Sequence, residues 1–113
     1  MILPLLLLFG CAPSARPTMR LLPDYRDVPI LMYHAILKDP ARAGKYVVSP
    51  DALESDLRWL LDNGYETVVT ADLIAFVAGT GTLPDKPVML TFDDGYRDNM
   101  TYVLPLLEQY GCR

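Results

Sequence analysis

From Val28 onward, short apolar runs alternate with helix-forming stretches, and turn residues stand at the joints. This alternation constrains the fold more than any other feature. It is the pattern of β-α-β units, in which parallel strands are joined by helical crossovers, and it predicts an α/β fold. Val28-Pro29-Ile30-Leu31-Met32-Tyr33-His34 is a continuous apolar run closing on a polar residue, as expected of a strand buried on both faces. Its proline lies near the start, where a strand tolerates a missing donor. Lys38 to Tyr46 carries charge, Pro and Gly, and predicts a surface loop.

Ser49-Pro50-Asp51 opens a helix with a hydroxyl cap, a proline in the first turn and an acid beside the positive end of the dipole. Leu53, Leu57, Leu60 and Leu61 build one apolar stripe, and Asn63-Gly64 ends the helix. Tyr65 to Thr70 is a second strand, favoured by Val68 and Val69, and Ala71 to Ala78 a short helix offering Leu73, Ile74 and Val77 to the core. Val88 to Phe92 is the next strand, stopping in Asp93-Asp94-Gly95. Tyr96 to Tyr110 follows as a helix stopped by Gly111, with a kink expected at Pro105. Trp59 and Met32 read most simply as core.

A chain of 113 residues has room for one small domain. Apolar residues make up 51% and charged residues 21%, so the chain has the means to fold. A formal net charge of −4 without a run of Lys or Arg excludes nucleic acid as a partner, because phosphate recognition needs a concentrated basic face. The two cysteines, Cys11 and Cys112, lie at opposite ends and define no disulfide framework.

Residues 1–11 read as an address. An apolar run of this length is about half of the ~20 residues needed to cross a bilayer, so it is the h-region of an export signal. Leu8-Phe9-Gly10-Cys11 resembles a bacterial lipobox, which implies a lipidated Cys11 and attachment to a membrane of the cell envelope. An ordinary cleaved signal followed by secretion, or an apolar strand, is the alternative. Residues 12–27 are then a tether, and residues 28–113 the folded portion.

In α/β folds, ligands gather at the carboxyl ends of parallel strands, and Asp93 and Asp94 lie at such an end. Two carboxylates on a turn tightened by Gly95 suit metal-assisted hydrolysis. One binds a divalent cation and the other takes a proton from a water whose pKa has fallen from 15.7 toward about 7. Taken alone, Asp-Asp-Gly is also simply a favourable turn.

Thr91-Phe92-Asp93-Asp94-Gly95-Tyr96 resembles the first signature motif of the polysaccharide deacetylases, the NodB-type carbohydrate esterases of family 4. Pro29 to His34, the Ser49-Pro50 helix start, Asn63-Gly64-Tyr65, Leu83-Pro84, Lys86-Pro87-Val88 and Leu104 to Leu107 extend the likeness over roughly Val28 to Gly111. The resemblance implies the N-terminal part of an irregular (β/α) barrel. It also implies hydrolysis of the acetamide of N-acetylglucosamine polymers, or in some members of an O-acetyl ester on xylan. By the same resemblance, Asp93 is the general base that activates water and Asp94 a ligand of the metal, usually zinc. His34, the single histidine, matches the general acid of the branch acting on poly-N-acetylglucosamine. Histidine suits that role because imidazole ordinarily titrates near neutral pH, although a lone His after a strand is as readily a structural residue. Tyr96 either meets sugar or packs at the motif, packing being the simpler reading.

The sequence departs from this family in one respect. The family metal site also uses a His-x-x-x-His pair, which these 113 residues lack. The expectation is therefore an incomplete and inactive portion of a deacetylase. The alternatives are a non-catalytic envelope lipoprotein or carbohydrate-binding module, and an O-acetyl xylan esterase.

Overall fold

A computed structural model describes residues 27–113 and gives the element order β1 (Ile30–Tyr33), β2 (Ala35–Ile36), β3 (Val47–Val48), α1 (Pro50–Asp62), β4 (Glu66–Thr67), α2 (Thr70–Val77), β5 (Pro87–Phe92) and α3 (Leu104–Tyr110). Residues 1–26, where an export segment with Cys11 and most of a tether are expected, lie outside the described residues. Among the described residues no helix is long and apolar enough to cross a membrane.

β5 is the centre of a three-stranded parallel sheet ordered β1-β5-β4. The α/β class expected from the alternating pattern is present. The strand expected over 28–34 is shorter and differently placed. β1 lies at the sheet edge, and the pleat sends Leu31 and Tyr33 toward the core while Ile30 and Met32 each stay 59% exposed. The apolar run is thus not that of a strand buried on both faces, and Met32 is not core. β2 and β3, a second parallel pair, escaped the sequence reading because two-residue strands carry no periodicity.

The core is built by α1. Ser49 Oγ accepts the Ala52 amide at 3.1 Å and Pro50 stands in the first turn, so the expected cap forms. Leu53 and Leu57 are fully buried and pack with Tyr33, Ile36, Val103 and Cys112. Each such leucine contributes about 1.5–3 kcal/mol through burial. The same stripe leaves Leu61 at the rim, and Trp59, expected in the core, is exposed because it lies off the Leu53–Leu57 face, where it stacks on Tyr65 with centroids 6.1 Å apart.

α2 corrects a further expectation. Ile74 and Val77 are largely exposed, and the helix has no fully buried residue. The core contact of this region comes instead from Val68, just after the short β4.

The helix after the Asp-Asp-Gly turn is interrupted, although not by a simple kink. Asn99–Val103 forms a π-helical turn in which Leu104 donates its amide to the Asn99 carbonyl, five residues back, immediately before Pro105. The wider turn accommodates the missing proline donor by shifting the bonding pattern, as π-bulges do. Val103 is buried, and Gly111 ends α3 in the left-handed conformation as expected. Tyr110 donates its hydroxyl to Glu54 at 2.6 Å and ties α3 to α1.

Candidate active site

The parallel register of β1 and β5 sets Tyr33 opposite Phe92, and their rings stack with centroids 5.4 Å apart. The residues that follow, His34 and Asp93, therefore leave the sheet side by side at its carboxyl end. Asp93 is half-buried and begins a 3₁₀ turn, Asp93–Gly95. Within it Asp94 has φ 65° and ψ 0°, and Gly95 has φ 62°. Left-handed backbone costs an ordinary L-residue about 1–2 kcal/mol, which aspartate tolerates better than most and glycine does not feel. Such a conformation at a strand end breaks the pleat that would otherwise set the two carboxylates apart.

The turn brings the Asp94 carboxylate across to β1. Its Oδ2 lies 3.9 Å from Nε2 of His34, within ion-pair range and too long for a hydrogen bond. The His34 side chain is 18% exposed and that of Asp94 60% exposed, so the pair sits at an open mouth that water reaches. His34 itself occupies the single-residue break between β1 and β2, where the chain passes from one sheet to the other. Directly after it, Ala35 donates its amide to the Tyr46 carbonyl at 3.1 Å, and Ile36 donates to Asp98 Oδ2 at 2.7 Å.

Of the residues singled out from sequence, His34 and Asp94 converge, and Asp93 adjoins them in the same turn. Tyr96 is 46% exposed beside the turn, so it is not packed under it. Two residues were missed. Asp98 accepts a backbone hydrogen bond from a residue 62 positions away, while its other oxygen is buried without a hydrogen-bond partner among the described residues. Tyr46 lies against His34. An acid in the first turn of a helix looks ordinary, and a tyrosine in a charged loop looks like surface, so neither had a local signal.

Among the described residues no three His, Cys, Asp or Glu side chains cluster as a metal site. Zinc needs at least three protein ligands, so Asp94 and His34 do not complete a zinc site. An apolar cavity of about 300 Å³ lies elsewhere, between β1 and α1, and is lined by Leu31, Tyr33, Asp56, Trp59 and Leu60 among others. There Tyr33 donates its hydroxyl to Asp56 at 2.9 Å, and burial, reinforced by that bond, raises its pKa. The carboxyl-end geometry, not this cavity, carries the ionisable groups suited to hydrolysis.

The family profile described as polysaccharide deacetylase matches residues 80–113, which include the Asp93-Asp94-Gly95 turn. The putative polysaccharide deacetylase YxkH of Bacillus subtilis is 35% identical over 86 residues, covering 76% of this chain and 29% of that protein. A solved de-N-acetylase from Aggregatibacter actinomycetemcomitans superposes with TM-score 0.68 at 36% identity, over 75% of this chain and 34% of that one. The chain carries part of a polysaccharide deacetylase domain. This deacetylase portion is also 35% identical over 80 residues to the poly-β-1,6-N-acetyl-D-glucosamine N-deacetylase of Escherichia coli K12, covering 71% of this chain and 12% of that protein. The chain thus spans less than a third of the length of the curated deacetylases it matches.

Proposed function

We propose that the protein takes part in removing N-acetyl groups from an N-acetylglucosamine-containing polysaccharide. One observation carries this reading: His34 and the Asp93-Asp94 turn meet at the carboxyl ends of two adjacent parallel strands. The similarity to a deacetylase of poly-β-1,6-N-acetyl-D-glucosamine supports the choice of substrate class.

In this reading Asp93 accepts a proton from the attacking water, whose oxygen adds to the acetamide carbonyl. His34 supplies a proton to the departing nitrogen as the C–N bond breaks, leaving acetate and a free amine on the sugar. A carboxylate and an imidazole divide these tasks because one is a base and the other able to donate near neutral pH. A divalent cation, zinc by resemblance, is the proposed cofactor, with Asp94 one of its ligands. The described residues do not by themselves complete that site. An irregular (β/α) barrel for the whole domain, export, and a lipid anchor at Cys11 complete the proposal.

The test is acetate release by the intact protein from β-1,6-linked N-acetylglucosamine oligomers and from acetylated xylan. Release from the first supports N-deacetylation. Release only from xylan makes the protein an O-acetyl esterase, and release from neither leaves a carbohydrate-binding module.

A further inference from the structure

Tyr46 stands in the loop between β2 and β3, on no element that the proposed chemistry uses. Its ring centroid nevertheless lies 5.0 Å from that of His34, tilted by 55°. Tilted aromatic pairs at this separation are attractive and directional, so the contact favours one orientation of the imidazole. The tyrosine backbone is fixed independently of its ring. The Ala35 amide donates to the Tyr46 carbonyl, and the next residue, Val47, is in register with Ala35 in the β2–β3 pair. The neighbour of His34 in sequence is therefore bonded to the residue whose ring lies against His34. On the ring, Lys45 Nζ lies 5.1 Å from the centroid, a second attraction that limits its swing. Tyr46 is 54% exposed, so core packing does not explain its place.

We propose that Tyr46 is the positioning residue of His34, holding the imidazole in the orientation that faces Asp94 across the mouth of the sheet. Without the ring, His34 sits at a break between two strands and its side chain is free to rotate toward solvent. The proposal rests on the reading of His34 as the group that protonates the leaving nitrogen, and its kinetic consequence belongs to the proton-donating step. Binding of sugar is not its task.

His34 is the sole histidine of the 113-residue chain, so its imidazole protons give one unambiguous pair of NMR signals. At fixed pH, Tyr46→Leu is expected to lose both the ring-current shift of those signals and their cross-peaks to the Asp94-Gly95 turn. Tyr46→Phe is expected to keep both. Cross-peaks to that turn that survive in Tyr46→Leu would overturn the proposal. On the intact protein, Tyr46→Leu is expected to lower kcat by about tenfold to a hundredfold with KM unchanged, and Tyr46→Phe to restore it, since small displacements of a catalytic group cost on that order. A rise in KM alone would make Tyr46 a sugar contact and overturn positioning. Unchanged turnover in His34→Gln would remove the acid role on which the kinetic part depends, while the NMR comparison decides the orientation by itself.

Discussion

His34 and Asp94 stand 3.9 Å apart although they follow different strands, because Asp94 holds a left-handed backbone in the turn that follows β5. The conformation that aims the carboxylate is one that most residues resist. Stability and placement are therefore in opposition at this position.

Asp94→Gly relieves that opposition. The substitution is expected to leave stability unchanged or raise it by up to about 1 kcal/mol, since glycine accepts positive φ freely, although its larger unfolded-state entropy offsets part of the gain. Thermal unfolding reads the stability, and turnover in the intact protein is expected to vanish. A β-branched replacement, Asp94→Val, is expected to destabilise the chain in the same measurement.

Asp98 is the link between β2 and the helix that follows the turn. Asp98→Ala removes the acceptor of the Ile36 amide, a charge-assisted bond of 2.7 Å, and is expected to cost about 1.5–3 kcal/mol. Urea unfolding measures the loss. Hydrogen exchange at Ile36 should accelerate far more than exchange within α1, since only β2 loses its anchor.

Tyr33 predicts an alkaline limit to stability. Its folded pKa is raised, first by burial and then by the hydrogen bond to Asp56, so the folded state retains the phenol proton that the unfolded chain releases near pH 10. Its contribution is complete below about pH 10 and is lost progressively as pH rises beyond that value. Chemical unfolding as a function of pH should show this decline in the wild type, and a shallower one in Tyr33→Phe. The variant should also lose about 1 kcal/mol at neutral pH with the Asp56 bond.

Asp94→Ala and Asp93→Asn separate the two carboxylates by metal affinity. Zinc titration of the intact protein is expected to show weakened binding in Asp94→Ala and nearly unchanged binding in Asp93→Asn. Equal loss in both would assign the metal to the pair and not to Asp94.

Much of this arrangement was legible in the sequence because it is local. The Ser49 cap, the Leu53–Leu57 stripe, the β5 run into Asp93-Asp94-Gly95 and the Gly111 stop each depend on neighbours within a few residues. Burial was less legible. Met32, Trp59, Ile74 and Val77 are apolar, and exposure at those positions follows from edge placement of β1 and from which helix face meets the sheet. Neither is encoded in residue type. The site showed the same division. The Asp-Asp-Gly turn and His34 announced themselves, whereas Tyr46 meets His34 from a loop and Asp98 anchors Ile36 of β2, contacts between segments that no periodicity records.

The most direct test of a shared task for these groups is acetate release from N-acetylglucosamine oligomers by the intact protein and its Asp93→Asn variant, at matched zinc content. Loss of release in the variant by at least about a hundredfold is the expected result, the scale that general-base catalysis contributes. Equal rates in the two proteins would contradict the assignment of Asp93 and the hydrolytic account built around it.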